Sequence, residues 1–307
     1  MAAQGLQLTT FLYGLYFGRR KMPARVAPLA SSQTRSWALG TAEGPVEIGG
    51  QCRAVQVDNT TCGSAAIALA KASDPASAEA RGLLGADVDP QSQFAAIQHA
   101  IKVETNRRRW GFKWPHAWGT PPWGASREMT FAGHEYFDRM VVDTSLPQST
   151  RVLTHAARCV QAGFPVLLYV GGDTSMGMGK GVPRHVVVLH KPPMPLDIPR
   201  QPESASTHAG TGSENLSAKN HMEEDLEEVM TQRLAELERK IAAKLSEARS
   251  AIQEPDFNPE MFIYEPSQGI NTKVTLEELI NKKCPPHAIG GWRHIMWAIM
   301  PKALEVH

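Results

Sequence analysis

A change in composition at residue 192 divides the chain and limits how it can fold. Residues 192–220 contain five prolines and many serines and threonines without apolar periodicity, which is typical of a disordered linker. Residues 221–253 then repeat apolar side chains at steps of three and four among Glu, Lys and Arg, which predicts a long amphipathic helix. We therefore predict an irregular N-terminal extension over 1–44, one domain formed by 45–192 and 258–302, and an insertion over 193–257.

The balance of charge and the cysteine spacing argue against several classes of protein. Lys and Arg number 32 and Asp and Glu 31, so a net charge of +1 gives no electrostatic reason to expect a nucleic-acid partner. No stretch reaches the ~20 apolar residues that cross a bilayer, and the apolar run at 6–18 precedes its basic residues, the reverse of a secretory signal. The four cysteines contain no CxxC pair. We expect a cytoplasmic protein with no membrane span, no cofactor and no metal.

The predicted elements are mainly helices first and strands afterwards, which favours an α+β fold. Apolar patterning predicts helices at 62–72, 90–107 and 146–162, and strands at 164–170 and 182–189. After the insertion it predicts a strand at 261–264, a short helix at 275–282 and a last strand at 294–300. We expect the strands on either side of the insertion to be neighbours in one sheet.

Cys62, at the start of a buried helix of small residues, is a candidate nucleophile. The partial positive charge of a helix start favours a thiolate, and Gly63 leaves room for a substrate backbone beside the sulfur. Acyl transfer also requires hydrogen-bond donors for an oxyanion. Gln56 lies six residues earlier across a turn sequence, so its amide can face the same pocket.

The string QVDNTTCGSAAIALA around Cys62 resembles papain-like cysteine peptidases, especially those that cleave double-glycine leader peptides. His185 in RHVVVLH resembles that family's histidine strand, and FIYEPSQG resembles its strand ending in an acidic residue, here Glu265. The resemblance covers roughly 45–190 and 258–300. It implies a papain-like fold in which a helical half packs on an antiparallel sheet. It also implies a triad of Cys62, His185 and Glu265, with Gln56 and the Cys62 amide binding the oxyanion.

Two features depart from that family. Glu265 stands where Asp or Asn is expected, so its extra methylene requires a shift of the backbone, and the insertion is longer than usual. Alternative third members of the triad lie nearby, at Ser267, Gln268 and Asn271. His294, on the last predicted strand, is a rival base.

The remaining candidates have more ordinary interpretations. Cys52 and Cys159 fit core thiols, and Cys284 has no activating context. His190 is predicted to point to the opposite face of the strand from His185, and His134 and His155 fit helix or loop surfaces. The tryptophan-rich stretch 110–124 predicts an irregular loop, either anchored to the core or lining a substrate groove. The GMGKG run at 177–181 lacks the spacing of a phosphate-binding loop.

The activity implied by the resemblance is hydrolysis of a peptide or amide bond in a peptide or protein substrate. The same groups serve deamidases and other acyltransferases, since an acyl-enzyme can be resolved by water or by an amine. A non-catalytic papain-like binding module is a further alternative. Its interaction element is the 221–253 helix, which also makes self-association or binding of a protein partner plausible.

Overall fold

The protein has a mixed α+β fold built on a large antiparallel sheet. The computed structural model describes residues 29, 38–40, 42–50, 52–74, 76–84, 89–107, 117, 119–142, 147–173, 175, 180–191 and 257–302. The chain divides into one unit over 1–193 and 249–307 and a second over 194–248. The second unit and the whole of the predicted insertion helix over 221–253 lie outside the described residues.

Ten strands are described, and eight of them form the main sheet. They are β1 (Gly44–Pro45), β2 (Glu47–Ile48), β3 (Cys52–Arg53), β4 (Thr130–Phe131), β5 (His134–Met140), β6 (Val166–Gly171), β7 (Pro183–His190), β8 (Glu260–Glu265), β9 (Ile270–Thr275) and β10 (His294–Pro301). The sheet order is β1-β9-β8-β7-β6-β10-β5-β4, with antiparallel neighbours, while β2 and β3 pair separately. Leu189 of β7 pairs with Ile263 of β8, which confirms that the strands on either side of the insertion are neighbours.

Six α-helices are described, and the first is the most deeply buried. They are α1 (Cys62–Ala72), α2 (Ala78–Leu84), α3 (Pro90–Thr105), α4 (Pro122–Glu128), α5 (Pro147–Gln161) and α6 (Leu276–Ile280). Ten of the eleven residues of α1 are buried, because its small side chains allow α2, α3, α4 and β7 to approach it closely. Helix α1 has the predicted bounds, and α3, α5 and α6 lie within one or two residues of theirs.

Several elements differ from the sequence prediction. Part of the tryptophan-rich stretch predicted to be irregular is helical, because Pro122 starts α4 with the fixed φ that suits a first helical position. Strands β5 and β9 were not predicted. His134 lies at the start of β5 rather than on a helix or loop. His155 does lie on a helix, α5, but it is only 7% exposed and so is not a surface residue.

Described residues of the predicted N-terminal extension pack against the core. Leu39 is buried, and Gly44 begins β1, which pairs with β9. The Leu29 amide donates to the Ala162 carbonyl at 2.9 Å. The structural unit therefore includes part of the segment that the sequence assigned to the extension. Among the described residues, no helix is long and apolar enough to cross a membrane.

Candidate active site

A tight turn holds Cys62 at the start of α1. The Thr61 hydroxyl and amide both donate to the Asp58 carbonyl, at 2.9 and 3.1 Å. The Asp58 carboxylate accepts a bond from the Thr60 amide at 2.6 Å. Because the first amides of a helix have no partners within it, Cys62 lies where N–H donors and the helix dipole favour negative charge.

Gly63 has a different role from the one expected. A Cβ at this position would lie 2.6 Å from the Thr120 Cβ, so the protein itself fills the space that the sequence interpretation left for a substrate. Thr120 is in turn attached to the sheet, since its carbonyl accepts a bond from the Tyr169 hydroxyl of β6 at 3.1 Å. Gly63 therefore allows close packing that fixes the start of α1.

His185 of β7 contacts the Glu265 carboxylate, and the Cys62 thiol is near enough to affect the pKa of the same ring. Its Nε2 is 2.5 Å from Glu265 Oε1, and both side chains are buried. Burial by itself would lower the pKa of His185. The hydrogen bonds and charges of Cys62 and Glu265 act in the opposite direction and outweigh it, raising the pKa to about 9. With Nε2 bonded to Glu265, Nδ1 is the ring nitrogen left for the thiol.

The Glu265 carboxylate is held by the turn that follows it. Besides the bond to His185, Oε1 accepts from the Ser267 amide at 2.9 Å, and Oε2 accepts from the Ser267 hydroxyl and the Gln268 amide at 2.8 and 2.9 Å. Burial raises the pKa of Glu265, but His185 and Ser267 together lower it below its ordinary value. This turn accommodates the longer side chain of a glutamate, and Ser267 and Gln268 support the carboxylate instead of replacing it.

Gly290 packs against the His185 ring, a contact that the sequence does not predict. Its φ of +61° is in the left-handed region, and a Cβ would lie 2.8 Å from His185 Cδ2. A glycine is therefore required both by the backbone conformation and by the space beside the imidazole. The only sequence signal was the Gly-Gly pair at 290–291, which marks a turn.

Gln56 lies in the segment between β3 and α1. Its Nε2 donates to the Asp58 carbonyl at 2.9 Å, and its main-chain amide donates to the Pro266 carbonyl at 2.8 Å. Among the described residues its buried Oε1 has no hydrogen-bond partner. The side-chain amide is thus bound within the turn before Cys62, with one N–H available to another acceptor.

His190 and Asn271 bind each other and not the site. His190 Nε2 is 3.0 Å from Asn271 Oδ1, and Asn271 Nδ2 donates to the Leu39 carbonyl at 2.6 Å. Burial lowers the pKa of His190 to about 4, although its bonds to Asn271 and the Lys191 carbonyl oppose the change. Asn271, a predicted alternative for the third member, is therefore occupied in a separate contact.

His294, the rival base, forms a second histidine–carboxylate pair. Its Nε2 is 2.9 Å from Asp173 Oδ2, and hydrogen bonds from Ser175 and His294 lower the pKa of Asp173 to about 2. Within the described part of the chain, the buried Nδ1 of His294 has no hydrogen-bond partner.

The other cysteines lie in surroundings that differ from those of Cys62. Burial raises the pKa of Cys159 to about 12, as expected for a core thiol. Burial and the charge of Glu278 raise the pKa of Cys284 to about 12 as well. Cys52 is partly buried against the core.

The assembled groups can perform acyl transfer by a thiol. Across the described ranges, no group of three His, Cys, Asp or Glu side chains is placed to hold a metal ion. The chain has no significant match to a protein-family model, a curated protein or a solved structure. The site itself consists of a thiol at a helix start, an imidazole near it, and a carboxylate bonded to the imidazole.

Proposed function

We propose that this protein is a papain-like cysteine peptidase that hydrolyses a peptide or amide bond. The observation that carries the proposal is the buried contact between His185 Nε2 and Glu265 Oε1 at 2.5 Å, with the Cys62 thiol near enough to the same ring to raise its pKa. A thiol, an imidazole and an orienting acid in this order are the groups that nucleophilic acyl transfer requires.

The first half of the reaction forms an acyl-enzyme. Because the pKa of His185 is raised to about 9, the ring is protonated at neutral pH and stabilises a thiolate at Cys62. The sulfur attacks the carbonyl carbon, and the C=O electron pair moves onto oxygen, where the Cys62 amide and Gln56 Nε2 donate to it. Collapse breaks the C–N bond as His185 gives its proton to the leaving amine.

The second half of the reaction releases the acid product. Neutral His185 removes a proton from water as the water oxygen attacks the thioester carbonyl. Collapse of this second intermediate expels the Cys62 thiolate and regenerates the thiolate–imidazolium pair. Glu265 stabilises the imidazolium and keeps the ring oriented through both halves.

The proposal is tested by alkylation with iodoacetamide, followed by peptide mass mapping. At pH 6 we expect Cys62 to react at least roughly tenfold faster than the other cysteines, since a nearby imidazolium and a helix start both make a cysteine more reactive. Cys159 and Cys284 should react slowest because burial raises their pKa values to about 12. Equal reactivity of all four cysteines would contradict the proposal. The Cys62→Ser variant controls for labelling elsewhere.

A further inference from the structure

A buried glutamine on another helix fixes the segment that carries Gln56. Gln98 lies on α3, and its side chain is fully buried. Its Nε2 donates to the Val55 carbonyl at 3.1 Å, and its Oε1 accepts from the Val57 amide at 3.0 Å. One side-chain amide therefore binds the main chain on both sides of Gln56.

These two bonds require a side chain that donates and accepts at the same time. An ionised glutamate only accepts, a methionine does neither, and an asparagine is one methylene shorter. Without both bonds, either a buried main-chain group loses its partner or the segment moves. The Gln56 amide is also bound to the Pro266 carbonyl, so the segment is fixed between α3 and the turn that holds Glu265.

The Gln56 side chain is oriented by the same segment. A carbonyl oxygen can only accept, so the amide nitrogen of Gln56 must face the Asp58 carbonyl, and its second N–H is left for another acceptor. One turn beyond Gln98 on α3, Lys102 Nζ lies 3.6 Å from the Asp58 carboxylate. Helix α3 thus holds both ends of residues 55–58.

We propose that Gln98 is a positioning residue that holds Gln56 where its amide donates to the oxyanion formed when Cys62 attacks a carbonyl. This inference rests on the proposed function. Gln98 does not touch the substrate and acts only through Gln56. An oxyanion donor accelerates attack on a carbonyl but not alkylation of the same thiol, because displacement at a saturated carbon forms no oxyanion.

Two probes applied to the full chain separate these reactions. Acylation of Cys62 by p-nitrophenyl acetate is followed by nitrophenolate release, and alkylation by iodoacetamide is followed by mass. We expect Gln56→Ala to slow acylation roughly 100-fold and Gln98→Met to slow it roughly tenfold, with alkylation unchanged in both. Gln91→Met makes the same chemical change at an exposed position of α3 and should alter neither rate.

A double-mutant cycle and a conservative variant test whether Gln98 acts through Gln56. In the Gln56→Ala background, Gln98→Met should slow acylation no further, within about twofold. A neutral carboxyl group donates and accepts like an amide, so Gln98→Glu should regain acylation relative to wild type as the pH falls and the introduced carboxyl is protonated. A general loss of stability would produce neither result.

The outcomes that overturn the inference are distinct from those that overturn the proposed function. If wild-type Cys62 has the pH profile of an ordinary thiol and is not acylated, both fail. If wild type reacts with both probes and a folded Gln98→Met protein is acylated at the wild-type rate, only the role of Gln98 fails. Additive losses in the double mutant, or an equal fall in both probe reactions, also overturn that role.

Discussion

His185 and His190 are two buried histidines on strand β7, yet their pKa values are shifted in opposite directions. The pKa of His185 is raised to about 9, and that of His190 is lowered to about 4. They are five residues apart, and their exposed fractions are 7% and 2%, so the extent of burial cannot account for the difference.

The partners of the two rings account for it. Burial favours the neutral form of both, but His185 faces a carboxylate and a thiol, whereas His190 faces an uncharged amide and a carbonyl. A charged partner offsets the loss of hydration of an imidazolium, and a neutral one does not. One strand thus carries a histidine suited to hold a proton beside a nucleophile and another suited to join β7 to β9.

The largest expected effect is the loss of thiol reactivity in His185→Ala. Without the imidazolium, Cys62 loses the neighbouring positive charge that makes a cysteine reactive, and its alkylation by iodoacetamide at pH 6 should fall roughly 10²-fold. Circular dichroism should show the wild-type fold. Unchanged alkylation in His185→Ala would remove the functional distinction between the two histidines.

The control is His190→Ala on the same strand. It should leave the pH profile of alkylation unchanged but lower the free energy of unfolding in urea by roughly 2 kcal/mol, because it opens a cavity and leaves the Asn271 amide oxygen without its partner.

A smaller effect is expected for Glu265→Gln. This change gives His185 an uncharged amide partner, like the one that His190 has in Asn271. The pKa of His185 should then fall from about 9 towards its ordinary value, because a negative charge is removed. Alkylation of Cys62 should slow by about tenfold at pH 6 and recover by pH 8.5, as the thiolate forms at higher pH. A pH profile of alkylation identical to that of wild type would show that Glu265 does not control the reactivity of Cys62. Asp173→Asn, which changes the carboxylate of the His294 pair, serves as the matched control.

The smallest effect is on the pH dependence of stability. His185 has a raised folded-state pKa, so its contribution is complete below pH 6.5 and is lost as the pH rises through about 9. His190 has a lowered one, so its contribution is present above pH 6.5 and is lost as the pH falls through about 4. Urea unfolding measures how far the free energy of unfolding of wild type exceeds that of each alanine variant. For His190→Ala this difference should shrink as the pH falls from 7 to 4. For His185→Ala it should become less favourable to wild type as the pH rises from 7 to 10. The reverse trends would contradict these assignments.

Local patterns predicted some elements well and others not at all. Helix α1 has its predicted bounds because its small apolar residues leave almost no polar face, which favours a buried helix, and β7 and β8 are neighbours as predicted. The sequence does not predict β9 because Asn271 and Thr272 are polar but buried, and a pattern of apolar residues cannot show that distant segments supply the partners of Asn271.

The same distinction applies to the site. The contact between His185 and Glu265 could be anticipated because each residue stands in a recognisable string. The roles of Gln98 and Gly290 could not be anticipated. Gln98 binds the main chain of Val57, 41 residues away, and Gly290 matters because it leaves space beside the His185 ring. A residue whose role depends on contacts with distant parts of the chain cannot be recognised from the sequence around it.

The position of β10 between β6 and β5 determines when the sheet can be completed during synthesis. The Trp297 indole donates to the Asp138 carboxylate across 159 residues of sequence. At ribosomal rates of roughly 5–20 residues per second, β5 waits roughly 10–30 s for this partner, with its edge unpaired. Glu265 also emerges late, well after Cys62. Under the proposed function, a nascent chain therefore carries Cys62 for many seconds before Glu265 and the completed sheet are present, so the thiol becomes reactive only when the sheet is complete.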